Sequence, residues 1–166
     1  MKIIGSKNNK DMYNNLLSGL IPDDIEVYIE PFGGLFGLYQ IMAKKPPNAV
    51  YNDINPDLYN NVLNKYDNTN YHNVDYKEII KMYDNENTFF YVDPPYLKNE
   101  HYYENHNFVK KENHEELAQI LKNIKGRFLL SYQDRELMRE LYSGYNFHKY
   151  TGKDMFHLPE IAITNY

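Results

Sequence analysis

The segment Asp93-Pro94-Pro95-Tyr96 places an acid, two prolines and an aromatic ring directly after the largely apolar run 88–92. The two prolines end the strand and remove two backbone donors, which fixes a rigid turn. The Asp93 carboxylate and the Pro94 carbonyl can accept both hydrogens of an exocyclic amine on a base, while the Tyr96 ring stacks on that base. Accepting both hydrogens directs the nitrogen lone pair toward an electrophile. The tetrapeptide therefore predicts group transfer to an amine.

A glycine-rich turn, Pro31-Phe32-Gly33-Gly34, follows an earlier strand that ends at Glu30. Glycine lets the backbone turn tightly and lets a ligand approach it closely. Asp53 ends the next strand, about 20 residues further on, where an acid can accept hydrogen bonds from both hydroxyls of a ribose. The chain has no GxxxxGK[ST] turn to cradle phosphates, so hydrolysis of a nucleoside triphosphate is disfavoured. These features predict a site for a nucleoside cofactor.

The order of the predicted elements explains how these residues come together. The predicted strands cover 26–30, 49–52, 71–74, 88–92, 127–131, 147–150 and 160–166, and the predicted helices cover 8–20, 34–43, 55–66, 75–82, 112–125 and 135–142. This alternation predicts an α/β fold with a doubly wound, mostly parallel, Rossmann-like sheet, helices on both faces and an antiparallel C-terminal strand. In such sheets, ligands bind at the carboxyl ends of the strands, where all three features lie.

Composition limits the class of protein. The 166 residues and 19.9 kDa suit one domain, so we expect a single domain over residues 1–166. We expect a cytoplasmic protein, because no apolar run approaches the roughly 18 residues of a membrane helix and no signal peptide is recognisable. The absence of cysteine and the scattered histidines argue against a metal site. The net charge of −5 means that any nucleic acid must contact a local positive patch.

Taken together, these motifs resemble the Dam-type (DPPY) adenine-N6 DNA methyltransferases, which use S-adenosylmethionine. The matching segments follow the family's order along nearly the whole chain. They are residues 5–7, 28–34, 52–58, 74–76, 93–96, 130–132 and 160–166. The spacing of Tyr103, Phe108, His114 and Leu117 also resembles the family's pattern after the tetrapeptide. The resemblance implies a Rossmann-like methyltransferase domain that transfers a methyl group to N6 of adenine in DNA.

The resemblance also implies which residues form the site. The catalytic residues would be Asp93, Pro94, Pro95 and Tyr96. Cofactor contacts would come from Lys7, Glu30, Pro31, Phe32, Gly33, Gly34, Asp53, Ile54, Asp75, Tyr76 and Asp93. Lys7 would lie by the methionine carboxylate, Asp53 on the ribose, and Asp75 or Tyr76 on the adenine.

The chain departs from the family where target recognition is concerned. Family members usually insert a recognition domain between the ribose motif and the catalytic tetrapeptide, whereas only 39 residues separate Asp53 from Asp93 here. The loop 97–111 is then the candidate DNA-contacting segment, with charges and stacking rings at Lys98, Tyr102, Tyr103, Lys110 and Lys111. We predict low sequence specificity, unless self-association or a specificity subunit supplies recognition.

Two alternatives stay open at this point. The same chemistry can act on RNA or on a free nucleotide, or the chain can be a non-catalytic cofactor-binding or DNA-binding subunit of a larger methyltransferase. The intact tetrapeptide argues against the non-catalytic alternative. In each catalytic case the adenine must be flipped out of a duplex or already single-stranded, because a stacked base cannot reach a pocket at a strand end.

Overall fold

The computed structural model describes residues 10–96, 110–150 and 159–166. The strands are β1 Val27–Glu30, β2 Asn48–Asn52, β3 Thr69–His72, β4 Thr88–Val92, β5 Arg127–Gln133, β6 Asn146–Lys149 and β7 Glu160–Thr164. The helices are α1 Lys10–Asn15, α2 Gly37–Ile41, α3 Pro56–Val62, α4 Tyr76–Tyr83, α5 Lys111–Asn123 and α6 Glu136–Leu141. None of these described helices is long and apolar enough to span a membrane.

All seven strands form one sheet with the order β3-β2-β1-β4-β5-β7-β6. Strands β1 to β5 pair in parallel, whereas β7 runs antiparallel to both β5 and β6. The chain starts near the centre, winds outward to β3 and returns to β4, so the winding reverses between β1 and β4. Ligands bind at such a switch point. The predicted doubly wound sheet with an antiparallel C-terminal strand is therefore confirmed.

The sheet has a hydrophobic core on each face, because neighbouring strand residues point to opposite sides. Ile29 and Phe90 face the core that is covered by α4, α5 and α6. Tyr28 and Phe89 face the second core, which is covered by α1, α2 and α3. Burial on both sides explains why β4 is buried along its whole length. Each large side chain buried in this way contributes about 1.5–3 kcal/mol.

Several predicted boundaries are corrected by the structure, and α2 covers Gly37–Ile41 where 34–43 was predicted. The strand predicted at 71–74 is β3, which begins and ends two residues earlier, because it pairs with β2 from Ala49–Thr69 to Asn52–His72. The helix predicted to run to residue 66 ends at Val62, and Asn64 then adopts a positive φ of 60°. The long first helix is replaced, within the described part of the chain, by α1 and a 3-10 turn at Leu17–Gly19.

The structure describes every residue from Asp53 to Asp93, and all of them belong to strands and helices of the fold or to their connections. This interval contains α3, β3, α4, β4 and the turns that join them. No further domain is inserted in this stretch, which agrees with the short spacing in the sequence.

Candidate active site

The glycine turn after β1 packs tightly against the end of β2. The Gly33 N–H donates to the carbonyl oxygen of Asn52 at 2.7 Å. A Cβ on Gly33 would lie 2.4 Å from the Tyr51 ring and 2.8 Å from the Asn52 carbonyl oxygen, so a larger residue does not fit. Gly34 has a φ of +52°, which favours glycine, and a Cβ there would meet nothing within 4 Å. Gly33 therefore serves packing, whereas Gly34 borders open space.

The carboxylate of Asp53 joins this turn to the segment after β2. Its Oδ2 accepts a hydrogen bond from the Gly34 N–H at 2.8 Å, and its Oδ1 accepts one from the Asn55 N–H at 2.8 Å. A carboxylate oxygen can accept more than one hydrogen bond, so this type of group suits a ligand with hydroxyl donors. The next residue, Ile54, is an exposed apolar side chain, with 54% of its surface accessible. A partly exposed acid beside an apolar surface suits a ribose and its flat base.

Glu30, at the end of β1, is buried under α2. Its Oε1 accepts hydrogen bonds from the Tyr28 hydroxyl at 2.7 Å and from the Tyr39 N–H at 3.1 Å. Burial is the main reason that the pKa of Glu30 is raised to about 8; the negative charge of Asp93 acts in the same direction, against the two hydrogen bonds. The Glu30 carboxyl is therefore mostly protonated at neutral pH. It anchors α2 beside the catalytic turn, and a direct contact of its side chain with the cofactor stays a prediction.

Phe32 and Tyr76 pack against each other between the turn after β1 and the start of α4. Their rings stack with centroids 5.0 Å apart and an interplanar angle of 28°. The Tyr76 hydroxyl donates to Glu116 on α5 at 3.3 Å, and the Asp75 carboxylate accepts from the Lys77 N–H at 2.8 Å as the N-cap of α4. The structure thus brings two predicted adenine contacts next to the glycine turn, and it uses Asp75 as the predicted helix cap as well.

The catalytic tetrapeptide leaves the sheet at the carboxyl end of β4, which lies beside β1. The Tyr96 hydroxyl donates to Asp93 Oδ1 at 3.3 Å. Tyr96 also packs against Tyr132 of β5, with ring centroids 4.6 Å apart. Burial raises the pKa of Tyr96 well above its usual value, and the neighbouring Asp93 carboxylate raises it further. Tyr96 therefore keeps its proton and fixes the orientation of the Asp93 carboxylate.

His114 of α5 lies behind the catalytic turn. The hydroxyl of Tyr132 is 3.3 Å from the His114 ring, and the two rings meet edge to face at 81°. Burial lowers the pKa of His114 to about 4, so its ring is neutral at physiological pH. His114 and Tyr132 together support Tyr96 from the side of the sheet that carries α5.

Several predicted contacts lie outside the described residues, namely Lys7, Lys98, Tyr102 and Tyr103. Two predicted nucleic-acid contacts are described at the start of α5. Lys110 is its N-cap residue, whose N–H donates to Asn113 Oδ1 at 3.1 Å, and Lys111 forms an ion pair with Glu115 at 3.1 Å. The structure leaves their contact with DNA as a prediction.

Sequence reasoning missed the role of Asn52. Its side chain is completely buried and is hydrogen-bonded to the segments after both β1 and β3. The signal for this was available, since Asn52 is a polar amide that directly follows the buried strand residues Ala49, Val50 and Tyr51.

The sheet order and the strand-end site define a Rossmann-like methyltransferase fold. Among solved structures, the chain is similar to a SAM-dependent methyltransferase from Leishmania major, with a TM-score of 0.67, 6% identity, and coverage of 93% of this chain and 70% of that one. It is also similar to magnesium protoporphyrin IX methyltransferase from Synechocystis with bound SAM, with a TM-score of 0.58, 11% identity, and coverage of 96% and 78%. An rRNA methylase from Streptococcus thermophilus has a TM-score of 0.56, 13% identity and coverage of 86% of both chains.

The family model of the D12 class N6 adenine-specific DNA methyltransferases matches residues 61–157, which is more than half of the chain. This chain therefore belongs to that family, and the predicted resemblance is confirmed. No curated protein matches the chain by sequence.

Membership of this methyltransferase family confirms S-adenosylmethionine as the cofactor. The described residues fit such a molecule in three ways. The Gly34 backbone borders open space, the Asp53 carboxylate is partly exposed, and Ile54 offers an exposed apolar surface beside it. The individual contacts of these residues remain predictions.

Proposed function

We propose that this chain transfers a methyl group from S-adenosylmethionine to the exocyclic N6 of adenine in DNA, with little sequence preference. The observation that carries the proposal is the position of Asp93-Pro94-Pro95-Tyr96. It lies at the carboxyl end of β4, next to β1 and its glycine turn, in a chain of the D12 class.

S-adenosylmethionine supplies an electrophilic methyl group on a sulfonium, so the protein needs to position the amine and to hold its protons. The Asp93 carboxylate and the Pro94 carbonyl accept the two amine hydrogens, which points the nitrogen lone pair away from the protein acceptors. Asp93 is held by the Tyr96 hydroxyl at 3.3 Å, and Tyr96 is held in turn by Tyr132. The N–C bond forms as the methyl–sulfur bond breaks, with the electron pair of the broken bond left on the sulfur. The nitrogen then releases one proton, for which the Asp93 carboxylate is the nearest proposed acceptor.

Tyr96 is proposed to contact the target base with the part of its ring that Tyr132 does not cover. The side chain is only partly buried, which leaves surface for such a contact. Stacking of a base on an aromatic ring is worth about 1–3 kcal/mol and does not depend on the identity of the base. The contact therefore helps to hold an extrahelical adenine without adding sequence preference.

The low specificity rests on the short interval between Asp53 and Asp93. Sequence readout needs side chains at base edges in the groove, and each bidentate contact gives about 1–3 kcal/mol of discrimination. The interval is occupied by the elements of the sheet and its helices, which supports recognition by a few loop residues at most. Lys98, Tyr102, Tyr103, Lys110 and Lys111 are proposed to contact the DNA. A homo-oligomer, a separate specificity subunit, the single-domain organisation and the cytoplasmic location stay predictions.

An end-point assay with S-adenosylmethionine labelled in its methyl group tests the proposal. Unmodified single-stranded DNA, RNA and adenosine are offered to the wild type and to Asp93→Ala. An exposed acid in the turn before β3 provides the control variant Asp67→Ala. We expect label in DNA with the wild type and with Asp67→Ala, and none with Asp93→Ala. Label in RNA or adenosine alone would assign a different substrate, and no label in any acceptor would favour a binding subunit.

A further inference from the structure

The end of β2 carries a buried amide that joins three neighbouring strand ends. Asn52 Nδ2 donates to the Pro31 carbonyl at 2.9 Å and to the Val74 carbonyl at 3.1 Å. Its Oδ1 accepts from the Val74 N–H at 3.1 Å. Its own backbone carbonyl accepts from the Gly33 N–H at 2.7 Å. Asn52 thus contacts the turn after β1 and the segment after β3 at the same time.

These two segments carry opposite parts of the proposed cofactor site. Pro31 precedes Phe32 and the two glycines, and Val74 precedes Asp75 and Tyr76. The stacked rings of Phe32 and Tyr76, with centroids 5.0 Å apart, meet between the two segments. A change in the distance between Pro31 and Val74 would therefore change the width of the cleft where the adenosine part of the cofactor is expected to bind.

We propose that Asn52 is a positioning residue that sets the distance between these two segments and so determines affinity for S-adenosylmethionine. The proposal rests on the cofactor contacts assigned under the proposed function, but it does not depend on which acceptor receives the methyl group. Asn52 is completely buried and is not among the residues assigned to contact the cofactor or the target base.

The chemistry of the amide explains why asparagine is needed at this position. Both hydrogens of its NH₂ group are donated to carbonyl oxygens, and its oxygen accepts one N–H, so one side chain satisfies three backbone groups. An aspartate has the same shape but no donors, and it would leave the Pro31 and Val74 carbonyls facing a negative charge. An alanine would leave all three groups unpaired. Buried groups without partners are costly, so the two segments would move apart or admit water.

The test compares Asn52→Ala and Asn52→Asp with a matched control on the opposite edge of the sheet. Asn165 also uses its side-chain amide to join backbone segments, since its Nδ2 donates to the Gly126 carbonyl at 3.0 Å and its Oδ1 accepts from the Phe128 N–H at 2.8 Å. These contacts lie at the amino end of β5, away from the cofactor cleft. Asn165→Ala therefore removes comparable hydrogen bonds without touching the proposed site.

The readout is the dissociation constant for S-adenosylmethionine from isothermal titration calorimetry without DNA, together with the thermal midpoint of each protein. We expect a loss of affinity of about tenfold or more for both Asn52 variants, and less than about twofold for Asn165→Ala at a similar thermal midpoint. The maximal methyl-transfer rate at saturating cofactor should change less than the KM for the cofactor. Asn52→Ser keeps one donor and should retain part of the affinity that the other two variants lose. It replaces them in the test if Asn52→Ala and Asn52→Asp do not fold.

Equal affinities of the Asn52 and Asn165 variants would overturn the proposal. A loss of maximal rate in the Asn52 variants with unchanged affinity for the cofactor would also overturn the proposal. Failure of the wild type to methylate DNA while it binds the cofactor normally would instead count against the proposed acceptor.

Discussion

The carboxylate of Asp53 accepts a hydrogen bond from the backbone N–H of Gly34 at 2.8 Å, although the two lie 19 positions apart in the sequence. This contact links the residue expected to bind the ribose with the turn expected to approach the methionine part of the cofactor. The same carboxylate also accepts from Asn55 and so fixes the start of α3. Asp53 therefore holds the turn after β1 and the start of α3 in place, in addition to its expected role toward the ribose.

Replacing Asp53 with alanine should weaken cofactor binding strongly. The variant loses the charged acceptor for the ribose and releases Gly34, and loss of a charge-assisted hydrogen bond costs about 1.5–3 kcal/mol. We expect a loss of affinity of about tenfold or more in titration calorimetry. The matched control is Asp84→Ala, because Asp84 also accepts from two backbone N–H groups, those of Lys125 and Gly126, at the amino edge of the sheet. Unchanged affinity in Asp53→Ala would show that the ribose lies elsewhere.

The two glycines of the turn should respond differently to alanine. Gly33→Ala forces a methyl group against the buried Tyr51 ring and the Asn52 carbonyl, and overpacking of this kind costs about 1–3 kcal/mol or more. Gly34→Ala meets no neighbouring atom but keeps a positive φ, which costs about 1–2 kcal/mol. Urea unfolding should therefore show the larger loss of free energy of unfolding for Gly33→Ala. Cofactor affinity, measured on folded protein, should fall in Gly34→Ala, because its methyl group enters the open space of the cleft.

Glu30 should make the stability of the protein depend on pH. Its pKa is raised in the folded state from 4.5 to about 8, so the folded state binds more protons than the unfolded state across that window. The resulting stabilisation is complete below the unfolded pKa and is lost as the pH rises through the folded pKa. Glu30→Gln keeps an acceptor for Tyr28 and Tyr39 and removes the titration.

The free energy of unfolding of the wild type should therefore fall, relative to that of Glu30→Gln, as the pH rises from about 4.5 to 8. Urea unfolding at several pH values across this window measures the difference. Glu86→Gln, at an exposed position before β4, provides the control and should run parallel to the wild type. A constant difference between wild type and Glu30→Gln would show that folding does not raise the pKa of Glu30.

Much of the fold could be predicted because segments with strand patterns and segments with helix patterns alternate along the sequence, as the strands and helices of the structure do. The largely apolar run 88–92 indicated a strand and Asp75 indicated the start of a helix, and both elements are found in the structure as β4 and α4. The register of β3 could not be predicted. The side chain of Asn52 forms hydrogen bonds with both the N–H and the carbonyl oxygen of Val74. The chain therefore leaves the sheet after His72, two residues before the predicted end of the strand.

The site was predictable in type and less so in detail. Asp53 and the tetrapeptide lie at strand ends, as their positions in the sequence required. The burial of Glu30 under α2 was not foreseen, because it depends on tertiary contacts with Tyr28 and Tyr39. The role of Tyr132 as support for Tyr96 depends on the pairing of β4 with β5, which local sequence does not specify.

The short interval between Asp53 and Asp93 leads to a prediction about the form of the DNA. Without a recognition domain in that interval, little is available to drive flipping of a paired base, and unstacking costs a few kcal/mol. Single-stranded or mismatched DNA should therefore be methylated faster than fully paired DNA of the same sequence. Equal initial rates on both substrates would contradict this expectation.

The same short interval leads to a prediction about the sequence context of the methylated adenines. On a random-sequence plasmid, mapping of methylated adenines should reveal a short, degenerate preference, because few side chains reach base edges. The experiment uses the purified chain alone, so that no specificity subunit contributes. A single strict palindrome would show that residues 97–111 read more bases than we infer.

The most direct test of the account identifies the methylated atom. Single-stranded DNA is incubated with S-adenosylmethionine and either the wild type or Asp93→Ala, digested to nucleosides, and analysed by chromatography and mass spectrometry. The account predicts N6-methyladenine from the wild type and none from Asp93→Ala, with both proteins showing the same thermal midpoint within error. Methylation at another base or atom, or undiminished N6-methyladenine from Asp93→Ala, would contradict it.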